Sequence, residues 1–434
     1  MLESQSYSIL FALSIIAISS LFRFLNLFVW PSCPILCHRN SSFNKAVLAH
    51  CSILRERYLP TLLWGKCGHV QTIIFGLIGR FGNKSPPQRL KRESVVTEDG
   101  SLSTFDIYEP QERQRTSTEK PEVTLIVCPG IGNNSQSVYI QTFVTYCLQH
   151  RYRVIVLNHV GTDASVPLTS PRIFTYGHTC DLDGAVQYAV RKFHNNSLMV
   201  GVGFSMGANL LMKYLGEKPS RQSYFLCAIS ICQGYDIEKS RPFLNSLNSG
   251  RVIYNYMITR RQKQIINNHW KEIYPSATSN SIKWDYYCEA PYIKNGRSDS
   301  EIKKTDIPAV EEKRVYSSRI LEELDENFSR LVNGFAALSD YYDWASSKFY
   351  LHKLELPVLL VNSSDDPLIP SELFGPAISL SSTKDKALFV VTQNGGHLGF
   401  FEGGVVIPET VTWIDRVIVE YIKSIIFVSS EGLY

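Results

Sequence analysis

The chain has 434 residues, 44% of them hydrophobic and 19% charged, with a formal net charge of +4. That length holds one large α/β domain with accessories or two modest domains. The small basic excess, with no Lys/Arg run among aromatics and no G-x-x-x-x-G-K loop, argues against a nucleic-acid partner or a phosphate-cradling loop. In chain order, Tyr7 to Phe22 is nearly all apolar, and after Arg23 the run resumes to Trp30. A bilayer span needs about 20 such residues, so 7–30 predicts a single membrane helix, with residues 1–30 as an anchor and the bilayer as a partner. A cleaved signal peptide is the rival reading, weakened because no basic residue precedes the run. Arg23, Arg39, Lys45, Arg55 and Arg57 all follow it, which by the positive-inside rule places the remaining chain on the cytosolic side.

Residues 31–88 are irregular and aromatic-containing, and they predict an extension packed on the main domain. Leu90–Thr97 and Ser103–Tyr108 flank Glu98-Asp-Gly-Ser and read as a hairpin. Strand and helix signals then alternate: Val123–Cys128, Val138–His150, Tyr152–Leu157, Cys180–Phe193, Ser197–Val202, the helix from Ala208, and Phe225–Cys232. Alternation of this kind predicts a mostly parallel, doubly wound sheet. Residues 236–345 are polar and helix-like in patches, as a cap inserted between two strands would be. Strands resume at Pro357–Val361 and Ala387–Val391, and a helix from Thr410 to about Ile426 closes the core, which comprises 89–235 and 346–434. Six N-x-S/T sequons occur, at Asn40, Asn83, Asn133, Asn195, Asn327 and Asn362.

The chemistry is carried by Gly201-Val-Gly-Phe-Ser-Met-Gly-Ala-Asn209. An apolar strand runs into it and a helix leaves it, so Ser205 sits on a strand-to-helix turn that Gly203 and Gly207 make room for. This is the G-x-S-x-G nucleophile elbow. The partners of such a serine follow it in the order acid, then histidine. Pro357-Val-Leu-Leu-Val-Asn-Ser-Ser-Asp-Asp-Pro367 ends a strand in two carboxylates, Asp365 and Asp366, either of which suits the acid. Asn394-Gly-Gly-His397 puts a histidine on a glycine-hinged loop after the last strand, where it could take the serine proton. His69, His159 and His178 are secondary candidates. An oxyanion hole requires two backbone donors, for which the amides of Met206 and of Ile131, in Cys128-Pro-Gly-Ile-Gly-Asn-Asn134, are expected. Of the ten cysteines, only Cys33 and Cys37 are spaced as C-x₃-C, and they lack further ligands at zinc spacing, so neither metal nor cofactor is assigned.

With these blocks in place, the chain resembles the membrane-anchored α/β-hydrolases of the abhydrolase-domain family (AB hydrolase type 4). The likeness spans most of the chain. It is carried by Trp64-Gly-Lys-x-Gly-His-x-Gln-Thr72, Val127-Cys-Pro-Gly-Ile131, Thr169-Ser-Pro-Arg-x-Phe-Thr-Tyr-Gly177 and Gly203-Phe-Ser-x-Gly207. Cys232-Gln-Gly-Tyr235, Val361-Asn-x-x-Asp-Asp-Pro-Leu368 and Gly395-Gly-His-Leu-Gly-Phe-Phe-Glu-Gly403 extend it. The resemblance implies an α/β-hydrolase fold with Ser205 as nucleophile, Asp366 as acid and His397 as base. It further implies a lipid ester substrate, monoacylglycerols foremost, and responsiveness to a steroid ligand. A type II anchor in the plasma membrane or endoplasmic reticulum is also implied, opposite in orientation to the charge count. A phospholipase or a short-chain carboxylesterase is the alternative within hydrolysis. His178-Thr-Cys-Asp-Leu-Asp183 fits the H-x-x-x-x-D of acyl transfer, and a non-catalytic lipid-binding module is the third possibility.

Overall fold

The computed structural model describes residues 13–16, 18–81, 87–110, 122–247, 250–273 and 310–432. Its nine strands are β1 (Ile35–Cys37), β2 (Lys91–Val96), β3 (Leu102–Tyr108), β4 (Glu122–Cys128), β5 (Tyr152–Asn158), β6 (Ser197–Phe204), β7 (Cys227–Ile231), β8 (Val358–Ser363) and β9 (Ala387–Thr392). They form one sheet in the order β1-β9-β8-β7-β6-β4-β5-β3-β2. The six central strands from β9 to β5 run parallel. The hairpin β2–β3 and the short β1 pair antiparallel at opposite edges. This is the α/β-hydrolase fold.

The apolar runs are continuous because both faces of the sheet are covered. On one face Phe143, Val144, Phe204, Val361, Val417 and Ile422 join the helices Ser42–His50, Val138–Gln149 and Trp413–Ser430 into a core. On the other, Ile155, Val186, Leu211, Leu360 and Phe389 pack the helices Cys180–Phe193, Met206–Glu217 and Gly375–Thr383. The last helix of the chain starts cleanly: the Asp415 carboxylate accepts from the Thr412 amide at 3.0 Å and from its hydroxyl at 2.7 Å.

From β4 the chain moves outward to β5, and from β6 it moves outward to β7 on the other side. Such a reversal leaves a crevice at the carboxyl ends of β4 and β6, where ligands of open α/β sheets bind.

Residues 31–88 depart from the irregular reading. They contribute β1 and the helices Ser42–His50 and Gly68–Ile78. The expected single helix over 7–30 is not found. Residues 7–12 and 17 lie outside the described ones, and the helical residues 18–24 end in a turn over 25–28. There Asn26 takes a left-handed φ of 52° and its side-chain Nδ2 donates to the Lys66 carbonyl at 3.1 Å. Asn tolerates that conformation, and the tether to the folded body turns the chain away from a helical path. Among the described residues no helix is long and apolar enough to cross a membrane. Between β7 and β8 the described part is helical, at Ile237–Leu244, Arg251–Asn268 and Leu338–Ala345 among others, while residues 274–309 and Asn83 lie outside it.

Candidate active site

Strand β6 delivers Ser205 to the crevice in a strained conformation, φ 53° and ψ −116°. Its amide is spent on the Ile231 carbonyl of β7, at 2.8 Å. The turn is this tight only because its neighbours lack side chains. A Cβ on Gly203 would lie 2.4 Å from the Ala208 Cα, and one on Gly207 would lie 2.0 Å from the Cys128 carbonyl oxygen. Strain held by surrounding packing at a serine is a pointer to function, because it aims the hydroxyl outward.

The structure brings Ser205, His397 and Asp366 together. His397 Nε2 stands 2.8 Å from Ser205 Oγ, and His397 Nδ1 stands 2.8 Å from Asp366 Oδ2. The other oxygen, Asp366 Oδ1, accepts from the amides of Leu368 at 2.7 Å and Ile369 at 3.0 Å. The carboxylate is therefore fixed in place with one oxygen facing the imidazole. Asp365 points elsewhere: its Oδ1 accepts from the Gly396 amide at 2.8 Å. Burial pushes the Asp365 carboxyl up to about 6, although the Gly396 amide and the Asn394 and Ser363 side chains pull against it.

Loop 128–134 is held from two sides. The Gly130 amide donates to Tyr139 OH at 2.9 Å, and His159 Nε2 meets the Pro129 carbonyl at 2.8 Å. Ile131 and Met206 line the same cavity as Ser205, and Met206 is the first residue of its helix, where an amide has no partner within the helix. That cavity has a volume of about 1030 Å³. Its lining includes the apolar Ile73, Leu77, Ile78 and Val138 and the polar Tyr176, Gln262 and Asp325.

Sequence reasoning gave no role to the helix Gly68–Ile78, yet it supports the histidine loop. The His397 amide donates to Thr72 Oγ1 at 2.8 Å, the Phe401 amide to Gln71 Oε1 at 2.9 Å, and Arg80 to the Leu398 carbonyl at 3.0 Å. A Cβ on Gly396 would sit 2.5 Å from the Gly68 carbonyl oxygen, so helix and loop touch through backbone. The only sequence signal was the Gly-His-x-Gln-Thr block itself.

The remaining candidates go elsewhere. His178 Nε2 bonds Asn333 at 2.6 Å, while Asp183 bonds Tyr214 OH at 2.7 Å, so the two ends of the H-x-x-x-x-D pattern do not meet. Burial, reinforced by the Arg172 charge, drives the His178 pKa down to about 4 and keeps it neutral. His69 Nδ1 meets Tyr254 OH at 3.0 Å on the cavity wall. Among the described residues two groups have metal-ligand spacing, Asp99 with His178 and Cys180, and Cys232 with Asp366 and His397. The first already holds a cation, the Arg172 guanidinium, which donates to Asp99 and to Cys180. In the second, Asp366 and His397 are already bonded to each other.

The chain matches the model of the alpha/beta hydrolase fold family over residues 123–404. It is 36% identical over 403 residues to mouse monoacylglycerol lipase ABHD2, covering 93% of this chain and 88% of that protein. It is 36% identical to the Drosophila melanogaster abhydrolase domain-containing protein 2, over 95% of each chain. Human phospholipase ABHD3 is more distant, 25% identical over 91% of this chain and 85% of its own length.

Proposed function

From the premise that this chain belongs to the α/β-hydrolase family, we propose that it is a serine hydrolase that cleaves monoacylglycerol to a fatty acid and glycerol. That it is a lipid ester hydrolase follows from the family and from relatives named as monoacylglycerol lipases. The monoacylglycerol preference and the residue roles are the finer reading. The observation that carries it is the pair of 2.8 Å contacts linking Ser205, His397 and Asp366 at the rim of a large, mainly apolar cavity.

In this reading Ser205 Oγ attacks the ester carbonyl while His397 Nε2 removes its proton. Asp366 holds the imidazole in the tautomer with a proton on Nδ1 and stabilises the imidazolium that forms. The amides of Met206 and Ile131 receive the oxyanion, and a helix N-terminus favours the negative charge there. The alcohol leaves with the proton from Nε2. Water, deprotonated by the same nitrogen, then releases the fatty acid and frees Ser205.

In the same reading the described parts of 236–345 serve as a cap over the cavity, and the described parts of 31–88 pack as an extension on the core described within 89–235 and 346–434. The N-terminal segment holds the enzyme at a lipid surface. Phe24, Leu77 and Ile78 are exposed and also line the cavity, so its mouth opens on apolar surface.

A fluorophosphonate probe tests the chemistry, since it labels an activated serine. Wild-type protein is expected to be labelled and to release fatty acid from 2-acylglycerol. Ser205→Ala should lose both, with at least a ~10³-fold drop in rate. Labelling that survives in S205A would overturn the assignment of the nucleophile.

A further inference from the structure

The cavity has two kinds of wall, and the mechanism uses neither. Ile73, Leu77, Ile78 and Val138 offer only hydrocarbon, which suits an acyl chain. The lining also includes Tyr176, Gln262, Asp325 and Tyr342, drawn from four separate stretches of chain. Gln262 Nε2 donates to Tyr176 OH at 3.2 Å, and Tyr342 OH donates to Asp325 Oδ2 at 3.0 Å. Asp325 is 1% exposed, and its second oxygen, Oδ1, is buried without a hydrogen-bond partner among the described residues. The Ser329 hydroxyl stands near enough to lower the acid's pKa yet makes no such bond to Oδ1.

A buried, unpartnered carboxyl oxygen costs stability unless something satisfies it. The elements that carry this wall are tied to the nucleophile. Asn209, one helical turn beyond Ser205, donates to the carbonyls of Tyr176 at 2.9 Å and Ala345 at 2.8 Å, and it accepts from the Ser347 amide at 3.0 Å. An ester held at Ser205 with its chain along the hydrocarbon lining would leave its alcohol portion to the remaining, polar lining groups. Of the arginines that line the cavity, Arg241 is paired with Glu238 and Glu322, and Arg261 donates to Gln264 Oε1 at 3.1 Å. Tyr176, Gln262, Asp325 and Tyr342 thus offer hydroxyl, amide and carboxyl groups, the set that recognises alcohol hydroxyls.

We infer that the wall of Tyr176, Gln262, Asp325 and Tyr342 is the subsite for a hydroxyl-bearing leaving group, with Asp325 setting the preference for a polyol ester over a plain alkyl ester. This rests on the monoacylglycerol reading and adds the residues that enforce it. Burial holds the Asp325 carboxyl at about 7, so near neutrality it both accepts from and donates to an alcohol.

The test compares kcat/KM for 2-oleoylglycerol and for ethyl oleate, two esters of one acid. The wild type should favour the glyceryl ester, and Asp325→Leu should lower that preference about tenfold or more, because a site built for hydroxyls discriminates strongly only while its polar groups are present. Asp325→Asn, which keeps shape and an acceptor, should retain it within about threefold. If D325L does not fold, Gln262→Leu on the same wall is read instead. Equal loss on both esters in the variant that folds would overturn the subsite and leave the hydrolase reading intact. A wild type with no glyceryl preference would also overturn it. A wild type that hydrolyses neither ester and takes no fluorophosphonate label would instead refute the proposed function.

Discussion

Replacing Asp325 by Asn changes one titration and almost no volume. In the folded protein burial raises this carboxyl from 3.8 to about 7, the Ser329 and Tyr342 hydroxyls offsetting only part of the penalty. At 1.36 kcal/mol per unit, a difference of about three units corresponds to roughly 4 kcal/mol. The native state holds the proton more tightly than the unfolded chain does. The acid's contribution to stability is therefore intact below its unfolded pKa of 3.8, is lost as pH rises, and is gone above about 7. Between pH 5 and pH 8 about two units of that window remain, on the order of 3 kcal/mol. Asparagine does not titrate, so D325N should gain on wild type by that amount between the two pH values. For a chain of 434 residues this is about 3 °C in Tm. Asp365 and Glu402 are also pushed up by burial, to about 6 and about 7, but they titrate in both proteins and cancel in the difference. The assay is differential scanning calorimetry of both proteins at pH 5 and pH 8. A Tm difference that stays constant with pH would show that Asp325 is ionised throughout and sink the argument.

Further outcomes follow from the geometry. Asp366→Asn should cut kcat about 10⁴-fold, as expected when an imidazole loses the acid that fixes its tautomer, whereas Asp365→Asn should cost less than tenfold; the reverse order would exchange their roles. Thr72→Val leaves the His397 amide unpaired and should lower kcat about tenfold with little change in KM, and an unaltered kcat would show that the helix Gly68–Ile78 does not position the histidine. Gly207→Ala puts a Cβ 2.0 Å from the Cys128 carbonyl and should abolish soluble expression; a folded, active G207A would mean the elbow yields. Ile407→Glu, on an exposed apolar loop bonded to residues 62–64, should weaken sedimentation with neutral phospholipid vesicles while hydrolysis of a soluble short-chain ester persists, and unchanged sedimentation would remove that loop from the lipid-facing surface.

The central sheet was legible because its strands are short apolar runs buried on both faces, and the alternation with helices fixes parallel pairing. β7 and β8 fall within a residue or two of their expected bounds, since Cys227–Ile231 and Val358–Ser363 are buried throughout. Ser205 and His397 were legible for a local reason: glycines flank both, and glycine placement reports backbone demands directly in sequence. The choice between Asp365 and Asp366 was not local. Adjacent carboxylates look alike until the amides of Leu368 and Ile369 capture one and that of Gly396 captures the other.

What escaped depends on contacts between distant segments. β1 has three residues and exists because Ile35, Leu36 and Cys37 pair with Val391, Val390 and Phe389, more than 350 positions away. No periodicity announces so short an edge strand. Helix Gly68–Ile78 shows its importance only through Thr72 and Gln71, which bond the loop around His397. Asp325 is the extreme case, an acid in a polar stretch that reads as solvent-facing. Tyr342 bonds it, and Tyr176, which lines the same cavity, bonds Gln262 and is tied through its carbonyl to Asn209. The atoms proposed to make and break bonds sit on strongly patterned elements at the carboxyl edge of the sheet. The atoms proposed to choose the substrate sit on a weakly patterned insertion, where composition can vary without disturbing the catalytic geometry.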